Sequence, residues 1–346
     1  MKTFRAPARS MAGMSGTAAA PVLAQGLVRR FGDVVAVDGI DLEVREGEVF
    51  GFLGPNGAGK STTVRMLTTL LRPTDGRAVV AGHDVVHEAA AVRRKIGVAL
   101  QEAAIDPLMT GRELLRLQAI LHGIDRPESR KREERLLDTV GLTAAADRRV
   151  GTYSGGMRRR LDLALALMHE PVVMFLDEPT TGLDPNSRLA LWDEVRELNA
   201  RGTTVFLTTQ YMEEADRLAG RVAIIDEGRI VARGTPAELK ARVGEPILRV
   251  LLPDGADPAR AREILEGFGQ DADGDGALAI HLKGGASRMG PVSRALDEAG
   301  VPVEGLELHQ PTLDDVFHEA TGRRLEGADE DQAEEAPRKG RRRGKA

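Results

Sequence analysis

The residues best placed to do chemistry are Gly54, Pro55, Asn56, Gly57, Ala58, Gly59, Lys60, Ser61 and Thr62, which fit GxxxxGK followed by a hydroxyl residue. Glycines at those spacings let successive backbone amides converge on phosphate oxygens. The following helix adds its positive end, Lys60 reaches the β- and γ-phosphates, and Ser61 is a magnesium ligand. The chemistry implied is the binding of a nucleotide triphosphate. A second acidic centre completes it: the most apolar run of the chain, Val172, Val173, Met174, Phe175 and Leu176, ends in Asp177 and Glu178. Asp177 is the expected magnesium partner, and Glu178 the group that orients the attacking water or takes its proton.

These groups need strands and helices to hold them. A strand over 47–53 runs into the glycine loop and a helix over 61–71 leaves it. Short β-type runs over 22–44 and a small antiparallel pairing over 76–86 flank this unit. Apolar residues Leu114, Leu117, Leu121, Ile124, Leu136, Leu137 and Val140 fall at helical spacing and predict a helical subdomain over 112–142. Helices from 154, over 188–199 and from 212 alternate with strands over 172–176, 203–209, 222–225 and 230–232. That alternation predicts an α/β fold with a mostly parallel sheet. Thr235, Pro236 and Glu238 form a helix start. The expected organisation is an N-terminal extension over 1–21, a nucleotide-binding domain over 22–245, a small α+β domain over 246–322 and a charged tail over 323–346.

The chain has 346 residues, no cysteine and a net charge of −5 from 53 acids against 48 bases. Disulfides, zinc thiolates and cysteine nucleophiles are excluded. The acidic balance and an aromatic content of 3% argue against a nucleic-acid-coating surface. No stretch approaches the ~20 apolar residues of a membrane-spanning helix, and 11–20 lacks a signal-peptide core.

Between the two acidic and glycine motifs stand Tyr153, Ser154, Gly155, Gly156, Met157 and Arg158, and Gly182, Leu183 and Asp184 follow Glu178. Motifs of these types in this order, over roughly 22–243, resemble the nucleotide-binding subunit of ABC transporters. The resemblance implies a P-loop ABC domain with a mostly parallel sheet, an antiparallel β subdomain and a helical signature subdomain. It also implies ATP and Mg2+ as ligands, and a head-to-tail homodimer in which Ser154, Gly155 and Gly156 bind the γ-phosphate of the ATP held by the other subunit. Further roles follow position by position: Phe31 stacks on adenine, Gln101 ligates magnesium and faces the membrane partner, and Asp184 communicates across the dimer. Gln210 departs from the pattern by standing where most members have a switch histidine. Its amide can donate to the γ-phosphate and accept from the water, beside Glu178 and Lys60 as the other catalytic groups.

Thr208, Thr209, Gln210, Tyr211, Met212, Glu213, Glu214, Ala215 and Asp216, together with Leu313, Asp314, Asp315, Val316 and Phe317, resemble the daunorubicin-resistance branch of drug-export ATPases. That branch implies a separate ABC-2 type permease and a peripheral position on the cytoplasmic face of the membrane. The competing expectations are a soluble ABC-type ATPase acting on nucleic acid or ribosomes, and an importer motor. A repair ATPase would need a long coiled-coil insertion before Ser154, a translation factor two cassettes, and many importers a β-barrel after the cassette. Arg158, Arg159 and Arg160 read equally as phosphate-assisting charge or a solvated helix face, and Trp192 as packing. Asp271, Asp273, Asp275 and Gly276 imitate a calcium loop but lack its twelfth-position glutamate.

Overall fold

The structure is a computed structural model and describes residues 20–100, 105–253, 255–272 and 278–323. It opens with the antiparallel pair β1 (Val22–Phe31) and β2 (Val34–Val44), followed by β3 (Val49–Leu53) and, after the glycine loop, α1 (Lys60–Leu67). The strands β4 (Asp75–Val80) and β5 (His83–Asp84) return to β1, giving a four-stranded antiparallel sheet in the order β2-β1-β4-β5. The helix α2 (Ala89–Lys95) leads to β6 (Ile96–Ala99). A helical layer of α3 (Gly111–Leu121), α4 (Arg126–Thr139) and α5 (Gly155–Leu167) comes next. The α/β alternation then runs β7 (Val173–Asp177), α6 (Pro185–Ala200), β8 (Thr204–Thr209), α7 (Met212–Leu218), β9 (Arg221–Asp226), β10 (Arg229–Gly234) and α8 (Pro236–Val243).

The main sheet has the order β10-β9-β3-β8-β7-β6, parallel except for β10. Its inner strands β3, β7 and β8 are buried along their whole length, as expected of parallel strands covered on both faces. Phe206 is the hub: the rings of Phe50, Phe52 and Phe175 lie 5.4 to 5.7 Å from it. Burying each such side chain contributes about 1.5–3 kcal/mol, and the strands that end at the site share this aromatic core.

Local chemistry sets the element ends. The helix expected over 61–71 stops at Leu67 because Thr69 takes a φ of 67° and the amides of Leu70 and Leu71 turn back to the Arg65 carbonyl. Thr110 with Glu113 and Thr235 with Glu238 make reciprocal capping boxes at the starts of α3 and α8; an N-cap of this kind contributes about 1 kcal/mol.

The C-terminal part contains β11 (Ile247–Leu251), α9 (Pro258–Leu265), β12 (Gly269–Asp271), β13 (Leu278–Leu282), α10 (Met289–Glu298), β14 (Gly305–His309) and α11 (Leu313–Thr321). Its antiparallel sheet, β12-β13-β11-β14, follows a β-α-β-β-α-β path, with a separate core around Leu248, Leu265, Ile280 and Leu296. The last helix of the expected 246–322 unit packs elsewhere. Leu313, Val316 and Phe317 of α11 are buried against Leu53, Met212, Ala215, Val222, Ile224 and Leu239 of the first domain. Beyond the helix, Arg323 pairs with Asp226 and Glu227 in the β9–β10 turn. That turn touches the glycine loop, because the Gly228 amide donates to the Ala58 carbonyl at 2.9 Å. Two expectations, the extension over 1–21 and the tail over 323–346, lie almost wholly outside the described residues, as does the acidic turn from Asp273 to Gly276.

Candidate nucleotide site

Three neighbouring parallel strands deliver the site. β3, β8 and β7 end in register, with Leu53 opposite Thr209 and Thr208 opposite Asp177, so Gly54, Gln210 and Glu178 emerge at one sheet edge. The carboxyl ends of parallel strands are where ligands of open α/β sheets bind. The glycine loop fits tightly against its surroundings. A Cβ on Gly54 would lie 2.2 Å from the Ile225 carbonyl oxygen, and one on Gly59, whose φ is 107°, 2.5 Å from that of Ala36. Only glycine lets this backbone approach so closely and turn as it does. The loop closes on the start of α1, where free amides and the helix dipole favour an anion.

Lys60 is 4% exposed; its Nζ donates to the carbonyls of Gly54 (2.7 Å) and Pro55 (3.0 Å) and lies 3.1 Å from Glu178 Oε1. Glu178 carries a φ of 48°, a backbone cost of about 1–3 kcal/mol tolerated where surroundings enforce it. The enforcement comes from Thr208: its carbonyl and its hydroxyl both accept from the Glu178 amide, at 3.0 and 3.1 Å. Thr208 also donates its hydroxyl to Asp177 Oδ1 at 2.5 Å, and Ser61 Oγ donates to the same oxygen at 3.2 Å. Ser61 and Asp177, predicted as magnesium ligands, are thus brought together. One hydroxyl and one carboxylate suit Mg2+, which keeps most of its water shell and takes few protein oxygens. Thr208 has a role at the site that sequence reasoning missed: it stood there only as part of the segment over 208–216, one of three threonines in β8.

The remaining positions are placed as follows. Phe31 is 47% exposed with the Arg29 guanidinium 4.4 Å from its ring centre, so it is no core residue. Gln101 lies outside the described residues. Ser154 caps α5, accepting from the Met157 amide at 3.2 Å, and is exposed with Gly155. A side chain on Gly156 would meet Ser187 Oγ at 2.9 Å, so α5 and α6 start against each other. Asp184 caps α6 through the Ser187 amide and hydroxyl, and those bonds hold its carboxyl below its ordinary range. Gln210 is half-buried just past β8.

The three arginines of the run differ. Arg158 is exposed, but Arg159 donates to the carbonyls of Leu100, Asp177 and Pro179, and Arg160 to that of Val140. The Arg159 guanidinium is therefore committed to carbonyls, not a solvated face, and Arg160 is tied to the end of α4 through one of its nitrogens. The buried Trp192 donates its ring N–H to Glu214, a carboxyl that burial pushes above its usual range.

Comparison with known proteins agrees with this geometry. The ABC transporter family model matches residues 37–181, and the model for the C-terminal domain of DrrA1-3-like ATP-binding proteins matches 234–321. The daunorubicin resistance ATP-binding protein DrrA3 of Streptomyces coeruleorubidus is 48% identical over 302 residues, covering 87% of this chain and 96% of that protein. The Nod factor export ATP-binding protein I of Burkholderia thailandensis is 40% identical, covering 89% of this chain and 99% of its own length. Among solved structures, a dimeric ATP-binding cassette in a post-hydrolysis state bound to ADP and phosphate is 26% identical with a TM-score of 0.57, covering 62% of this chain and 98% of that one. With the glycine loop, the Asp177–Glu178 turn and the Ser154 helix start all in one fold, the chain belongs to the ATP-binding proteins of ABC transporters, in the daunorubicin-resistance branch.

Proposed function

We propose that two copies of this chain clamp two ATP molecules and hydrolyse them to drive a separate membrane permease of the ABC-2 type, exporting a drug-like or other secondary metabolite. The observation that carries this reading is the junction of Lys60, Ser61, Asp177 and Glu178 at one sheet edge. Lys60 exchanges its protein oxygens for β- and γ-phosphate oxygens and offsets their charge. Glu178 orients a water for attack on the γ-phosphorus and accepts its proton as the bond to the ADP oxygen breaks. The Gln210 amide donates to the γ-phosphate and accepts from the same water. Ser61 and Asp177, with Gln101, hold Mg2+, which when bound neutralises charge on the phosphates. Phe31 supplies a stacking face for adenine.

The partner subunit's Ser154, at the exposed start of its α5, supplies hydroxyl and dipole to the γ-phosphate. That a solved cassette of similar fold is dimeric supports the pairing of two copies. No helix of the described residues is long and apolar enough to cross a membrane; on the export reading the pore belongs to the permease, with this chain at its cytoplasmic side. A groove of about 660 Å3 lined by Leu70, Leu100, Ile105, Leu117 and His122 supports docking of the permease there. The names of the relatives, for daunorubicin resistance and Nod factor export, favour efflux over the importer and nucleic-acid readings.

The test is Mg2+-dependent ATPase activity of the assembled complex with Glu178→Gln, together with efflux of labelled compound from vesicles. Loss of hydrolysis with retained ATP binding, and ATP-driven efflux by the unmodified complex, are expected. Full activity of the variant, or uptake in place of efflux, contradicts the proposal.

A further inference from the structure

One guanidinium connects parts of the site that the sequence separates. Arg159 lies five residues along α5 from Ser154 and its side chain is 11% exposed. Its Nε donates to the Pro179 carbonyl and its Nη2 to the Asp177 carbonyl, both at 3.0 Å. Those two residues flank Glu178, so a single planar fork grips the backbone on either side of the left-handed carboxylate residue. The Nη1 donates to the Leu100 carbonyl at 2.5 Å, in the residue just before Gln101, and lies 3.5 Å from Asp162. Beside this contact a cleft of about 570 Å3 has Gly155 and Arg158 on one wall and Glu178, Thr181 and Gly182 on the other. Arg159 bridges the two walls.

We propose that Arg159 is a positioning residue that couples the two ATP sites of a dimer. This inference rests on the head-to-tail reading above. The start of α5 engages the nucleotide held by the partner, and the middle of the same helix holds this chain's own catalytic turn. A helix rises about 1.5 Å per residue and moves as a rigid rod over so short a span. Closure of Ser154 onto the partner's ATP therefore shifts the Asp177 and Pro179 carbonyls, and with them the Glu178 carboxylate, while the Leu100 carbonyl moves with the same guanidinium. Lysine keeps the charge but cannot hold three carbonyls in one plane, because its ammonium is a point donor on a flexible stem. Methionine keeps the packing volume and loses every donor.

The experiment compares the full chain with Arg159→Met and Arg159→Lys, reading ATP-driven dimer formation by light scattering, the ATP dependence of hydrolysis, and thermal unfolding. For the unmodified chain a Hill coefficient between about one and two is expected, bounded by the two sites. R159M lowers kcat by about 10- to 100-fold, the loss expected when a reacting group is misplaced by roughly 1 Å. It also brings the Hill coefficient to about one, while half-saturating ATP and dimer formation change by less than about twofold. R159K falls between. If R159M does not fold, R159K carries the test through the same two readouts. A wild-type Hill coefficient in a folded Arg159 variant overturns the inference while leaving the dimer reading intact; an unmodified chain that stays monomeric in ATP overturns that reading, and the inference with it.

Discussion

The ammonium of Lys60 and the carboxylate of Glu178 form a buried ion pair, 3.1 Å apart, at the mouth of the phosphate-binding loop. On the proposed function ATP separates them, the lysine turning to phosphate and the carboxylate to water. Removing the lysine takes its cation from the buried carboxylate, a cost of about 3–5 kcal/mol. Lys60→Ala is therefore expected to be less stable in urea than the double variant Lys60→Ala/Glu178→Gln. Equal stabilities of the two would show that the pair has no energetic content.

Asp177 accepts from Ser61 and Thr208 and is 2% exposed. Asp177→Asn keeps the shape and removes the charge that a divalent ion needs. ATP affinity without magnesium is expected to change little, while the gain in affinity on adding magnesium largely disappears, and turnover falls by about 100-fold or more. Isothermal titration with and without Mg2+ checks this; an undiminished magnesium effect places the metal elsewhere.

At Gln210 there is no side chain that titrates near neutrality. Gln210→His is expected to add a limb near pH 6–7 to the kcat profile that the unmodified chain lacks. Gln210→Ala is expected to lower kcat by about tenfold with ATP affinity retained. Identical pH profiles for the glutamine and histidine forms would mean that this position does not reach the reacting groups.

Burial pushes the carboxyl of Glu194 up to about 7 from 4.5, with Arg160 pulling it down and Glu197 pushing it up. The folded chain thus binds more protons than the unfolded one between those values, so this group's contribution to stability falls as pH rises through that window. Glu194→Gln removes the penalty. Its stability relative to the unmodified chain is expected to improve by about 1–3 kcal/mol on going from pH 4.5 to pH 8. Urea unfolding across that range reads the difference directly, and a constant difference would contradict the assignment.

Phe317, 1% exposed, packs from α11 into the first domain beside Leu53 at the end of β3. Phe317→Ala is expected to cost about 3–5 kcal/mol. The loss should fall on the first domain, seen as faster amide exchange in β3, β9 and α7, rather than in β11–β14. Exchange confined to the β11–β14 sheet would contradict that placement.

Legibility in the sequence follows the range of the forces involved. The glycine loop, the Asp177–Glu178 turn and the capped helix starts were readable because their chemistry is local: a run of neighbours fixes the turn, the cap or the strand end. Arg159 was not, since three adjacent arginines look alike until the fold shows which one faces the carbonyls of Leu100, Asp177 and Pro179. The segment over 313–317 stood in the sequence only as a mark of the family branch; that Leu313, Val316 and Phe317 pack on the first domain was not legible, because a helix's apolar face is complementary to any core of suitable shape. Thr208 was hidden in the same way, its role set by register between β7 and β8.

The central claim is that each ATP site takes Lys60 and Glu178 from one copy and Ser154 from the other. Mixing two inactive chains tests it most directly, one bearing Lys60→Ala and the other Ser154→Arg, with hydrolysis measured against each alone. A mixed dimer contains one site with every group intact, so recovery of Mg2+-ATPase activity on mixing is predicted; no recovery, with mixed dimers demonstrably formed, would contradict the account.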